Sequence, residues 1–99
     1  MTRAGIIEAA KETMLLAHKV GMDEMWLNAA TRDATRDPNF ETDFGHLMSM
    51  VSRMQTDETM SIGKLNRWLG WVQAAVFAFA QGAITLEQMK DINLRNRAR

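Results

Sequence analysis

Nineteen consecutive residues, Trp68 to Leu86, carry no charge. A run of that length is about what a membrane-spanning helix needs, so the segment belongs either in a bilayer or in a protein interior. Its punctuation decides between them. Gly82 suits the left-handed conformation that closes a helix, and Thr85 followed by Gln88 is a capping-box pattern that opens another. The run is therefore cut into the end of one helix and the start of the next. What remains before Gly82 is roughly 14 residues, about 21 Å at 1.5 Å per residue, against a hydrocarbon core of about 30 Å. Gln73 and Gln81 add polarity. The segment reads as a buried helix over about 62–81 at the centre of an all-α fold, with no membrane.

The rest of the chain carries helical signals and no period-two alternation. Ile6, Ile7, Ala10, Met14 and Ala17 recur at spacings of three and four, and Gly21 can close that helix, so the first element is expected over about 3–20. Asp23 reads as an N-cap with Met22 and Leu27 as a staple, opening a helix over about 24–35 that stops before Pro38. Asn39 is the next cap. Phe40, Phe44, Leu47, Met48 and Val51 then form an apolar stripe on a helix over about 40–54. Ser61 caps the central helix. The capping box at Thr85 starts a last one over about 86–96, with Leu86, Met89 and Ile92 on one side. The expectation is one domain, 1–99, a compact bundle of four to five helices.

With 99 residues the chain can build a single modest core with little stability to spare. It has no cysteine, which removes disulfides, thiolate metal sites and thiol chemistry and fits a reducing, cytoplasmic setting. The N-terminus does not read as a secretory signal, because Glu8, Lys11 and Glu12 interrupt it. Net charge is zero but unevenly spread. Residues 1–60 hold 6 Lys/Arg against 10 Asp/Glu, and residues 61–99 hold 6 against 2. Packing of the acidic part on the basic part accounts for this most simply, and a basic C-terminal patch for nucleic acid, at Arg95, Arg97 and Arg99, is the lesser reading.

Two features of the central helix are candidates for binding. Gly70, Ala74, Ala78 and Gly82 fall at successive i+4 positions, a line of small residues that lets another backbone come close. Trp71, Ala75 and Phe79 flank it. The groove can receive a helix of the same chain, but a helix apolar on nearly every side needs more cover than short neighbours give, so a homodimer through these four residues is expected. The second feature is cationic. Lys64 and Arg67 stand near the helix start, where the macrodipole disfavours positive charge by about 0.3–1 kcal/mol each. Asp57, Glu58 or the acidic half can offset them internally. Alternatively Lys64, Arg67, Trp68 and Trp71 form a site for an acidic partner surface or a nucleotide-like anion.

Catalytic patterns are missing. His18 and His46 are the two histidines. Asp43 and His46 are spaced i, i+3, but a di-metal bundle needs Glu-x-x-His twice with two further carboxylates. No Gly-x-Ser-x-Gly, phosphate-binding glycine loop or His-Glu-x-x-His occurs. Neither a metal nor another cofactor is expected, and the chain reads as no enzyme. The nine methionines are adaptable filler, with Met48, Met50, Met54 and Met60 available as a pliable contact surface.

The segments "GKLNRWLGWVQAAV" and "GAITLEQMKDIN" resemble a pattern found near the C-terminus of small accessory proteins of tailed bacteriophages and prophages. The matching positions are Lys64, Arg67, Trp68, Leu69, Gly70, Trp71 and Gln73, then Gly82, Thr85, Leu86, Glu87, Met89 and Lys90. The resemblance covers about a third of the chain, Gly63 to Asn93. It implies a context: a phage-type protein without catalytic residues that acts by stoichiometric binding in the bacterial cytoplasm. The leading expectation is capture of a host macromolecule, a host protein above all, as in inhibition of antiviral defence. A sponge for a nucleotide signal or other anionic ligand is the alternative, and nucleic-acid binding the second.

Overall fold

The structure is a computed structural model, and it describes residues 1–22, 44–80 and 82–98. The expected helix over 24–35, the caps Asp23 and Asn39, and residues 40–43 of the expected third helix lie outside these residues. The described chain is all-helical, without a strand. α1 spans Arg3–Lys19, α2 Phe44–Thr56, α3 Ile62–Ala80 and α4 Leu86–Asn96. The radius of gyration, 13.4 Å, is that of a folded chain of this length, about 13 Å.

Local chemistry fixes the helix ends. The Gly5 N–H donates to Thr2 Oγ1 at 3.1 Å, which caps α1. Gly21 follows α1 at φ 85° and Gly82 follows α3 at φ 95°, the left-handed region that a residue with a Cβ avoids. Lys64 N–H donates to Ser61 Oγ at 3.1 Å. At α4 the capping box is complete: Gln88 N–H donates to Thr85 Oγ1 at 3.2 Å and Thr85 N–H to Gln88 Oε1 at 2.7 Å.

α1 packs against all three other helices, and its longest contact is with α3. The seam is made by Ile6, Ala9, Ala10, Thr13, Met14 and Ala17 on α1 and by Leu65, Leu69, Val72 and Val76 on α3, all buried. Alanines on one side and branched side chains on the other bring the two axes close and fill the space between them. α4 lies across α1 and contributes Met89 and Ile92, and Ile84 is buried in the turn before it.

Three expected faces are adjusted. On α2 the buried residues are Leu47, Val51 and Met54, one edge of the expected stripe carried on by a turn, while Met48 on its other edge is exposed. On α4 Leu86 is exposed and the buried line is Met89, Ile92 and Asn96. The four methionines form no single contact surface: Met54 and Met60 are core, Met50 is half-buried and Met48 is outside.

A polar network ties three helices together. Gln73 of α3 and Asn93 of α4 exchange amide hydrogen bonds, Gln73 Nε2 to Asn93 Oδ1 at 2.7 Å and Asn93 Nδ2 to Gln73 Oε1 at 3.1 Å. Gln73 Nε2 also reaches Thr13 Oγ1 at 3.3 Å, and the fully buried Thr13 hydroxyl donates to the Ala9 carbonyl at 2.8 Å. Gln73→Leu leaves the Asn93 amide without its partner and removes one donor to Thr13, whose hydroxyl keeps its bond to the Ala9 carbonyl. A loss of about 1–3 kcal/mol in denaturant unfolding is expected, since stranded polar groups at a helix interface keep their desolvation cost.

Between α2 and α3, Asp57 Oδ1 accepts from Thr59 N–H at 3.0 Å and from Thr59 Oγ1 at 2.5 Å. These bonds, first the side-chain and then the backbone one, hold the Asp57 carboxyl below its ordinary value. A depressed folded value means that its stabilisation is complete above the unfolded carboxylate value of about 3.9 and is lost as pH falls through the lower folded value. A carboxyl NMR titration is expected to place the Asp57 midpoint below 3.9. A midpoint at or above it means that the turn is open in solution.

Candidate functional site

The described residues put the opening of α3 beside α2. On α3, Lys64, Arg67, Trp68 and Trp71 recur at spacings of three and four, so one flank of the helix carries all of them. On α2, His46, Ser49, Met50 and Arg53 do the same. The two flanks enclose an open cleft of about 520 Å³ lined by His46, Ser49, Met50, Arg53, Arg67, Trp68 and Trp71.

Trp68 is the floor of this cleft and packs its inner edge against the core. Two cations lie against its ring: Lys64 Nζ is 5.2 Å and Arg53 Cζ 5.6 Å from the ring centroid. Such contacts are worth about 0.5–1 kcal/mol at exposed sites. They orient the cations without neutralising them. Arg67 is exposed, and its guanidinium lies back over Gly63, with Nη1 3.7 Å from where a Cβ on that glycine would be. Trp71 forms the outer rim and is 47% exposed.

The charge of the cleft is uncompensated among the described residues. Among the described residues no carboxylate lies within ion-pair distance of Arg53, Lys64 or Arg67. No acidic residue stands in the first turn of α3. Asp57, the expected internal partner, is held by Thr59, and its attraction to Arg53 and Lys64 ranks below those hydrogen bonds. Glu58 is exposed and pairs with neither cation. The Ser61 hydroxyl already takes the Lys64 N–H, so the free backbone donors at the helix start are fewer than a phosphate site there would use.

Of the sequence candidates, Arg67, Trp68 and Trp71 line the cleft, and Lys64 lies against the ring of Trp68. Gly70, Ala74, Ala78 and Gly82 are exposed and face away from α1. Arg53 was not anticipated. Its spacing from His46 and Met50 is visible in the sequence, but only the packing of α2 on α3 sets it over Trp68. At the other end, Arg95 is held by Asp91 Oδ2 at 2.9 Å and Glu12 Oε1 at 3.2 Å, and these partners raise its pKa further. Of the C-terminal arginines, Arg97 is exposed and Arg99 lies outside the described residues. Asp43 also lies outside them, and among the described residues no three His, Asp or Glu side chains are placed to hold a metal ion. Among the described residues, too, no helix is long and apolar enough to cross a membrane.

No protein-family model, no curated protein and no solved structure matches the chain.

Proposed function

We propose that this chain is a non-catalytic binding protein that captures a macromolecule through an acidic surface seated in the α2–α3 cleft. One observation carries the reading: Arg53 and Lys64 lie against the Trp68 ring, Arg67 lines the same cleft, and no carboxylate of the described residues neutralises them. Desolvating that cluster is favourable only against negative charge, and the two indoles supply flat apolar area of the kind that anchors protein interfaces. The phage resemblance of the Gly63 to Asn93 segment makes the partner a host protein, and blocking of a host defence is the physiological form of the proposal. A nucleotide signal meets the same chemistry, cation and indole, and is the competing occupant.

The test compares the wild type with a Lys64→Glu/Arg67→Glu variant on bacterial lysate. Arg67 is exposed and Lys64 is half-buried against the Trp68 ring, so the variant should lose no more than that ring contact, about 0.5–1 kcal/mol of stability. The wild type should retain an acidic host protein that elutes with salt, and the variant should not. Retention of the same protein by the variant overturns the reading. A melting temperature raised by nucleotides, with no protein retained, replaces the protein partner by a small anion.

A further inference from the structure

The side of α3 opposite its core seam is also apolar. Gly70, Trp71, Phe77 and Ala78 stand three or four residues to either side of Ala74, and all five are exposed, Phe77 by 43%. At about 100° per residue they stand across the helix from Leu65, Leu69, Val72 and Val76. A surface helix ordinarily shows charge on that side, and Trp68 to Ala80 holds none. We propose that a second copy of the chain covers this face, with the two α3 helices antiparallel about a two-fold axis at Ala74.

The residues of this face select that occupant and that direction. Reversal about Ala74 exchanges position 70 with 78 and position 71 with 77. Gly70 then stands level with Ala78 of the second copy and Ala74 meets itself, while Trp71 and Phe77, about 60° to either side of Ala74, put the two Trp71 rings on one side of the seam and the two Phe77 rings on the other. Small residues let the axes close, and an aromatic pair fills each side, which is the self-complementarity a two-fold interface requires. Charge agrees with the same direction. Reversal carries Arg67 to the level of position 81 of the second copy, where the carbonyl end of its α3 is negative and no basic residue stands in the last turn. A guanidinium has donors enough to serve that helix end and the cleft together. A parallel pairing would set Arg67 against Arg67. The second copy also adds to the candidate site, because its Trp71 lies on the same side of the seam as Trp71 and extends the outer wall of the cleft. The two clefts stand at opposite ends of the pair, with the Arg67 positions about 21 Å apart along the axis at 1.5 Å per residue.

The experiment reads mass and cross-linking, independently of any binding activity. Light scattering of the wild type over a dilution series should give two chains per particle. Ala74→Arg puts like charges on the axis and should weaken self-association by about 100-fold or more while circular dichroism stays helical. Ala74→Cys introduces the sole thiol of the chain. Mild oxidation should join two copies through it, whereas Asn66→Cys, exposed but about 24 Å from its copy along the axis at 1.5 Å per residue, should stay monomeric on a non-reducing gel. If Ala74→Arg does not fold, the contrast between the two cysteine variants still decides. A wild type of single-chain mass at high concentration, an Ala74→Arg protein that remains a dimer, or equal cross-linking at positions 66 and 74 overturns the proposal.

Discussion

Alanine at Gly5 should lower the melting temperature, and alanine at Gly63 should raise it. Both glycines stand in the first turn of a helix, where alanine is the better helix former by up to about 1 kcal/mol. Their surroundings differ. A Cβ on Gly5 would run into the backbone carbonyl of Asn96, the point at which α4 crosses α1. That carbonyl cannot give way cheaply. Asn96 is buried, and its Nδ2 donates to Glu12 Oε2 and to the Ile92 carbonyl, both at 2.8 Å, so a shift of α4 breaks the link that fastens it to α1. Overpacking of this kind costs typically about 1–3 kcal/mol, enough to outweigh the propensity gain. A fall of roughly 4–8 °C per kcal/mol lost is expected in calorimetry. A Cβ on Gly63 meets only the Arg67 side chain at 3.7 Å and Ser61 Oγ at 4.0 Å, ordinary contact distances. There the gain of about 0.5–1 kcal/mol should appear in full. If Gly5→Ala proves as stable as the wild type, the α1–α4 crossing is looser than described.

The largest loss is expected from Leu65→Ala. Leu65 is wholly buried on the α3 seam with α1. Its removal forfeits the transfer free energy of the side chain and leaves a cavity that helices pinned by the Gln73–Asn93–Thr13 network cannot readily close. Leucine-to-alanine changes in such positions cost about 2–5 kcal/mol. Domains of this size have about 5–15 kcal/mol in total, so the variant should melt well over 10 °C lower and have a markedly reduced denaturant midpoint. Leu94→Ala is the control. Leu94 is 64% exposed on α4, and its truncation should change stability by less than about 0.5 kcal/mol. Equal losses at the two positions would mean that Leu94 is covered in solution, which would call for an interface on α4.

The helix ends were legible in the sequence because each depends on neighbours in the chain. Ser61, Gly82 and the Thr85–Gln88 pair act through bonds spanning three or four residues, and each does in the structure what its type predicts. The same holds for the length that rules out a bilayer span. The cationic flank was half legible. Lys64, Arg67, Trp68 and Trp71 share it by spacing alone, yet the cleft exists only because α2 lies alongside and sets Arg53 against the indole. Periodicity was weakest where the apolar residues outnumber one face, as with Met48 and Leu86, since a wide stripe does not say which edge the neighbours will cover.

Sequence alone determined that this chain is helical, where its helices after residue 44 stop, and that its longest apolar helix carries cations near its start, because these follow from local hydrogen bonding and from spacing along one helix. Tertiary structure decided which small residues meet a backbone and which stay outside. The close approach falls at Gly5 against Asn96, while Gly70, Ala74 and Ala78 face away from the seam. Both are glycine- and alanine-bearing helix faces, equally able to admit a neighbour. The face that is buried carries the branched side chains of Leu65, Leu69, Val72 and Val76, which fill the space beside the small residues of α1, whereas the bulky Trp71 and Phe77 stand on the face left outside.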